Sequence, residues 1–382
     1  MSLIHIFTLG FRPQYLIVGL LAGCIIGFYG FFRLGRLLSH YDISKKASLI
    51  FRIILTILII ISCFNIQSLV TLLLAYLFFA SVLADIIRII YSLIIGNKNI
   101  KILNYIPKLH SKDILALIIF ILIIAGGIYG MNHIEQTDYY INTNKTNETY
   151  TILFISDIHY NTVQNPQLLK ENIGKMNDVK PDIVILGGDI VDERSSNKDM
   201  HKVFSVLSQI NSTYGTYFIY GNHDTQPNLN DTNHHKREYS NEELTNTIKA
   251  NNITILNDEK VTINNNLTLI GRADASFNDQ VTRADTSKLL RNINPDKFII
   301  MLDHQPLDAQ NNSELGVDLV ISGHTHGGQV FPFGLVSNLT GTLNYGEYTF
   351  GNMKQIVSSG YAGWGFPLRN EAKCEYVVIH VN

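Results

Sequence analysis

The chain has 382 residues, room for about two domains, and its formal net charge of −2 offers no electrostatic footprint for a nucleic-acid partner. Of three cysteines, Cys24 and Cys63 sit in apolar runs and only Cys374 lies elsewhere, which excludes a disulfide framework in the non-membrane part. The hydrophobic share of 46% conceals a division: the first third carries long apolar runs, and the rest is Asn-rich and mixed.

Four segments, at residues 14–32, 48–64, 69–90 and 114–129, are read as transmembrane helices, since the roughly 30 Å apolar core of a bilayer takes about 20 helical residues. A signal peptide competes for the first, but Arg12 is the only basic residue ahead of it and three further spans follow. Arg52, Asp85 and Arg88 fall near segment ends, where snorkelling accommodates them; an intramembrane site is the alternative. The connection after the first span holds Arg33, Arg36, Lys45 and Lys46, and that after the third holds Lys98, Lys101, Lys108 and Lys112. The turn Asn65-Ile66-Gln67-Ser68 has no basic residue. The positive-inside rule makes both basic connections cytoplasmic, and four spans then carry everything from Met131 onward out of the cytoplasm. The expected organisation is a transmembrane region at 1–130, a short connecting segment at 131–149 and a globular part at 150–382.

In the globular part short β-rich runs alternate with helical stretches. Strands are read at 151–155, 182–186, 216–220, 298–302 and 317–322, and helices at 166–177, 198–210, 241–251 and 286–292. Closely spaced strands at 253–256, 261–263 and 267–270 suggest a meander, and two more run at 355–358 and 376–380. This order predicts an α/β fold of two packed sheets flanked by helices, small enough for one core.

A polar cluster follows each of five strands: Asp157-Ile158-His159, Gly188-Asp189, Gly221-Asn222-His223-Asp224, Asp303-His304 and Gly323-His324-Thr325-His326-Gly327-Gly328-Gln329. Aligned strands would bring these clusters to one sheet edge, where α/β folds place ligands. Asp, His and Asn donors without thiolate suit borderline divalent ions such as Mn, Fe or Zn. Asp189 reads as a carboxylate bridging two ions, with Asp157, His159 and His326 completing one site and Asn222, His304 and His324 the other. His304 alone would read as structural; its place between the third and fifth clusters makes it a ligand. Two such ions leave a net positive centre that attracts phosphate, and metal binding lowers the pKa of water from about 15.7 toward 7, supplying hydroxide for in-line attack. His223, beside the ligands but not among them, reads as proton donor or electrostatic stabiliser for the leaving oxygen. Asp224 is expected to orient its imidazole.

In kind and order these clusters resemble those of calcineurin-like metallophosphoesterases across the whole globular part. Gly327-Gly328-Gln329, Phe331-Pro332-Phe333-Gly334, Ser359-Gly360 and Pro367-Leu368-Arg369 are similar to the membrane-associated YkuE/YaeI-like branch. The resemblance implies a four-layer α/β–β/α sandwich, two divalent metal ions on the ligands named above, and phosphoester hydrolysis. With the apolar region it implies a multi-pass integral protein of the cell or plasma membrane with an extracytoplasmic catalytic domain. Its partners would be the lipid bilayer and a phosphorylated small-molecule or lipid-linked substrate. Two alternatives stand beside it: a UDP-diacylglucosamine-type pyrophosphatase, whose substrate is cytoplasmic, and a non-catalytic membrane sensor or scaffold. No nucleic-acid or protein partner is expected.

Two stretches, Tyr160-Asn161 and Gly271-Arg272-Ala273-Asp274, depart from the residues usual in the family without touching a ligand. His234-His235-Lys236-Arg237 reads as a solvated loop or a basic lid. Tyr361, Trp364 and Phe366 read as a substrate-facing wall or as core, and Arg369 as a candidate phosphate contact.

Overall fold

A computed structural model describes residues 16–39, 41–66, 68–95, 110–227, 236–276 and 283–382. Arg12, Lys98, Lys101, Lys108, His234 and His235 lie outside the described residues. The chain divides into two compact units, with the main boundary after Gly126.

The first unit contains helices α1 (Leu16–Leu38), α2 (Lys45–Ser62), α3 (Leu69–Ile95) and most of α4 (His110–Asn132). Large apolar side chains such as Ile17, Phe28, Leu58 and Ile89 are exposed on them, as on helices that face lipid. Gly19 and Gly23 of α1 lie against α2: a Cβ on Gly19 would overlap the carbonyl oxygen of Cys63, and one on Gly23 would sit 2.9 Å from the Cα of Ile60. Small residues at that spacing allow the close backbone approach typical of membrane helices. Near the other end of α1, Arg33 donates to Asp113 (2.9 Å) and lies 3.3 Å from Asp85, which also accepts from the Tyr29 hydroxyl (2.8 Å). Asp85 is therefore ion-paired between helices instead of snorkelling, because α1 carries Arg33 to it. Arg52 lies over the Phe31 ring, 4.4 Å from its centroid. Gly19 against Cys63, Gly23 against Ile60 and Phe31 against Arg52 show α2 returning antiparallel to α1.

Leu16–Leu38, Leu69–Ile94 and Asp113–Asn132 are long and apolar enough to cross a bilayer. Among the described residues three helices, not the expected four, meet that criterion; α2 has 18 residues and carries Lys45, Lys46 and Arg52.

The second unit begins at Gly127, inside the final turns of α4, and passes directly into β1 (Ile134–Ile141). The expected connecting segment at 131–149 thus contains a strand. The others are β2 (Tyr150–Ile155), β3 (Ile183–Leu186), β4 (Thr216–Phe218), β5 (Ile253–Ile255), β6 (Glu259–Ile263), β7 (Leu267–Gly271), β8 (Phe298–Leu302), β9 (Leu319–Ser322), β10 (Gly346–Phe350), β11 (Met353–Val357) and β12 (Cys374–Val381). They form two six-stranded sheets, ordered β1-β12-β2-β3-β4-β5 and β10-β11-β9-β8-β7-β6. β1 pairs in parallel with β12, from Ile134 opposite Cys374 to Ile141 opposite Val381. Its sequence, with Glu135, Gln136, Thr137 and Asp138, is polar because it is a half-exposed edge.

Alternation along the strands builds the layers. Ile152, Phe154, Ile183 and Ile185 meet Ile300, Leu302, Leu319 and Ile321 between the sheets. The intervening Leu153, Ile155, Val184 and Leu186 pack with Leu169, Phe204 and Ile248 of α5 (Gln167–Asp178), α6 (Asn197–Leu207) and α7 (Asn241–Ala250). Outside the second sheet, Ile299, Met301 and Val320 pack with Leu289 of α8 (Thr286–Leu289) and Ala309 of α9 (Ala309–Glu314). This is the four-layer α/β–β/α sandwich expected. The register sets Ile155, Leu186 and Phe218 level in one sheet and Leu302 beside Ile321 in the other. The chain therefore leaves neighbouring strands at matching heights.

Candidate metal centre

The turns after these strands are tight. Asp157 (φ 55°), His159 (φ 41°), Asp189 (φ 53°), His324 (φ 70°) and His326 (φ 53°) all adopt the left-handed region, a strain that concentrates at functional sites. Gly221 has no room for a side chain, because a Cβ there would overlap the Asp189 carboxylate.

Asp157, His159 and His326 each offer a ligand atom, all within 4.8 Å of one another, and Asp189, His304 and His324 do the same. Asp189 lies between the groups: its Oδ2 is 3.8 Å from His159 Nε2 and 3.1 Å from His304 Nε2. Asn222 Oδ1 and the Nε2 atoms of His159 and His304 are buried without a hydrogen-bond partner. Leaving such a group unpaired costs on the order of 1–3 kcal/mol, so orphaned lone pairs gathered in one place fit two divalent cations. Two of the opposite ring nitrogens are held: His304 Nδ1 is 2.8 Å from the Gly187 carbonyl and His326 Nδ1 is 3.1 Å from that of Ala362, while His159 Nδ1 lies 3.3 Å from Asp192 without a hydrogen bond. Such partners fix the ring and leave Nε2 free to serve as a candidate ligand atom. Burial opposes ionisation of Asp157 and Asp189, but the histidines outweigh it: His326 and His304 hold Asp157 below the usual carboxylate range, and His304 and His223 hold Asp189 well below it.

His223 adjoins this centre. Its backbone N–H donates to Asp189 Oδ1 (2.8 Å), and its ring stacks on Trp364, with centroids 5.3 Å apart. Its Nδ1 lies 2.7 Å from Glu193 Oε2. Burial disfavours the imidazolium, but the Asp189 charge and the Glu193 hydrogen bond outweigh it and raise the pKa to about 9. Asp224 does not orient His223, contrary to expectation. Its carboxylate accepts the backbone N–H groups of Asp189 (2.9 Å), Ile190 (2.9 Å), Val191 (3.2 Å) and Gly221 (2.7 Å), tying two ligand-bearing turns together.

The sequence reading missed Asp192, Glu193 and the particular place of Trp364. The signal for the first two was available: an acidic pair directly after the apolar Ile190-Val191 that follows a ligand. Arg369 is fully buried and donates to the carbonyls of Ala362 (2.6 Å), Ala372 (2.8 Å), His326 (2.9 Å) and Ser359. It is spent on holding the His326 turn and is no phosphate contact. Tyr361 is core, its hydroxyl accepting from Asn172 (3.0 Å), and Phe366 is half-buried. Arg237 donates to Asn241 (2.9 Å). Asp303 pairs with Arg272 (3.3 Å) and Arg283 (3.0 Å), so Arg272 supports the strand end that presents His304.

Residues 150–328 match the calcineurin-like phosphoesterase family. An uncharacterized metallophosphoesterase of Campylobacter jejuni is 30% identical over 312 residues, which cover 80% of this chain and 78% of that protein. YkuE of Bacillus subtilis, also an uncharacterized metallophosphoesterase, is 28% identical over 275 residues, 67% of this chain and 90% of YkuE. The transmembrane protein with metallophosphoesterase domain of Bos taurus is 28% identical over 242 residues, 59% of this chain and 51% of that protein. Two candidate metal-binding groups meeting at a buried aspartate, on a sandwich of two sheets, agree with this kinship: the chain belongs to the calcineurin-like metallophosphoesterases and is a phosphoric ester hydrolase.

Proposed function

We propose that this protein is a membrane-anchored dinuclear phosphohydrolase that acts outside the cytoplasm on a lipid-linked or envelope phosphate, with Mn, Fe or Zn in its two sites. The observation that carries the reading is Asp189, buried between two groups of ligand atoms. Ions held there supply Lewis acidity and bring water within reach of deprotonation near neutral pH.

The protein's own groups do the rest. Asp189 sets the spacing of the two sites, and the carbonyls of Gly187 and Ala362 hold His304 and His326 with Nε2 turned inward. Glu193 keeps a proton on His223 Nδ1, which leaves Nε2 as the nitrogen that passes its proton to the departing oxygen. Trp364 restrains that ring by stacking.

For topology, the return of α2 alongside α1 supports a fourth crossing despite its charges. Four crossings keep Arg36 and Lys45 on the same side as the basic connection after α3. β1 and all that follows would then lie outside the cytoplasm. A cysteine at the exposed Asn144 should react with an impermeant maleimide in intact cells, above the wild-type background. Reaction only after lysis would sink the topology and favour the cytoplasmic pyrophosphatase. Full-length protein with Mn should hydrolyse bis-p-nitrophenyl phosphate, and Asp189→Asn should not; an inactive wild type would favour the scaffold.

A further inference from the structure

We propose that helix α10 (Phe333–Leu339) rests in the lipid bilayer that holds α4, so that the metal centre draws its phosphate from the membrane surface. The bilayer contact stands on packing alone; the substrate consequence rests on the phosphohydrolase reading above.

Four apolar side chains of α10, Phe333, Leu335, Val336 and Leu339, are between 45% and 79% exposed. No Asp, Glu, Lys or Arg occurs from Phe331 to Tyr345. A seven-residue helix has little to gain from presenting such a face to water, and contiguous apolar exposure marks an interaction surface. What covers it follows from the loop beneath. Glu371 accepts the backbone N–H groups of Gly334 (2.7 Å) and Leu335 (2.9 Å), which fastens the start of α10, and Asn370 accepts from Phe331 N–H (3.0 Å).

The residues just before these in the same loop seat the end of α4. Arg369 N–H donates to the Gly127 carbonyl (2.8 Å), Leu368 lies against Gly127, and a Cβ on Gly130 would overlap the Arg369 carbonyl. Gly127 belongs to the stretch Asp113–Asn132 that is long and apolar enough to cross a bilayer. It lies five residues before the helix end, roughly 7 Å along the axis. Glu371 is only two residues past Arg369, a reach of about 7 Å. The start of α10 is thus held near the level where α4 enters the headgroup layer, the depth of roughly 5–10 Å at which interfacial helices bury an apolar face. The absence of charge suits lipid better than a polar partner surface. α10 also abuts the metal turn: a Cβ on Gly328, two residues after His326, would overlap the backbone nitrogen of Gly334. The ligand His326 and the apolar face are therefore two sides of one short segment.

The test uses full-length protein in vesicles of phosphatidylethanolamine and phosphatidylglycerol. The fluorophore NBD is attached at Leu339→Cys and, as a control, at Glu242→Cys on α7, with labelled wild type as the blank for native cysteines. Leu339→Cys should be quenched by lipid carrying doxyl high on its acyl chain and shielded from aqueous iodide, and Glu242→Cys the reverse. Iodide quenching equal at both positions would overturn the proposal, and so would shielding at 339 from both quenchers, which would mean that protein covers the face. A second arm compares methyl and hexadecyl 4-nitrophenyl phosphate, which share the reacting group and differ only in partitioning. The double variant Phe333→Ser/Leu339→Ser should lose roughly tenfold or more on the hexadecyl ester, the scale of one buried apolar side chain, and nothing on the methyl ester. Equal rates on both would overturn the substrate inference. If wild type hydrolyses neither, the phosphohydrolase reading fails, and the NBD result alone decides the bilayer contact.

Discussion

Replacing Glu193 by Gln keeps the shape of the side chain and removes the carboxylate charge from its hydrogen bond to His223. That bond is 2.7 Å long and Glu193 is 2% exposed, so water does little to screen it. Hydrogen bonds to charged groups contribute about 1.5–3 kcal/mol, which at about 1.4 kcal/mol per decade corresponds to ~10–100-fold in the strength with which the imidazolium is held. The sign follows from the raised pKa: His223 is protonated below about 9 and loses its proton as pH rises through that value. Without the Glu193 charge the loss begins at lower pH. The assay is kcat/KM across the neutral and alkaline range, with Mn, for a nitrophenyl ester and an alkyl ester. A nitrophenolate leaves without a proton and an alkoxide does not. Glu193→Gln should move the alkaline limb of the alkyl ester about one to two pH units lower, so that its rate falls ~10–100-fold above the original limb and little at neutral pH, and leave the nitrophenyl rate nearly unchanged. Equal losses on both esters would refute proton donation, and an unmoved limb would reduce Glu193 to a packing residue.

Asp224→Asn trades one of two acceptor oxygens for a donor facing backbone N–H groups, at a cost of about 1–3 kcal/mol for each one left unpaired. It should lower the melting temperature and weaken Mn binding while leaving the alkaline limb in place; a shifted limb with normal Mn binding would restore the orienting role first expected. Arg369→Met removes the guanidinium that ties the carbonyls of His326, Ala362 and Ser359 together. It should weaken Mn binding, measured calorimetrically, with no selective rise in KM; a selective rise at unchanged Mn affinity would make it a phosphate contact after all. Mn at a hundredfold its Kd should stabilise the metal-stripped protein by about 2.7 kcal/mol, a rise of roughly 5–10 °C in melting temperature for a domain of this size. No rise would refute the assignment of the orphaned histidine and asparagine atoms to metal.

The sequence by itself determined the donors and their order. A strand and the turn after it are local: a β-rich run such as 182–186 predicts its own end, and Asp189 must follow that end whatever the rest of the chain does. Five such units with Asp, His and Asn at the exits left little choice about the chemistry, and the apolar lengths announced membrane helices. Only the tertiary structure decided which groups serve which. Asp224 is adjacent to His223, yet backbone donors from the Asp189 turn capture its carboxylate, while Glu193, thirty residues away in sequence, reaches the ring. β1 was hidden because an edge strand needs only half an apolar pattern, and its partner β12 lies at the other end of the chain. Arg369 reads as an anion contact until four carbonyls are seen to surround it. Periodicity and residue type are properties of short segments. Hydrogen-bond partners and the surface that meets lipid depend on distances between segments far apart in sequence, which exist only once the sheets have packed.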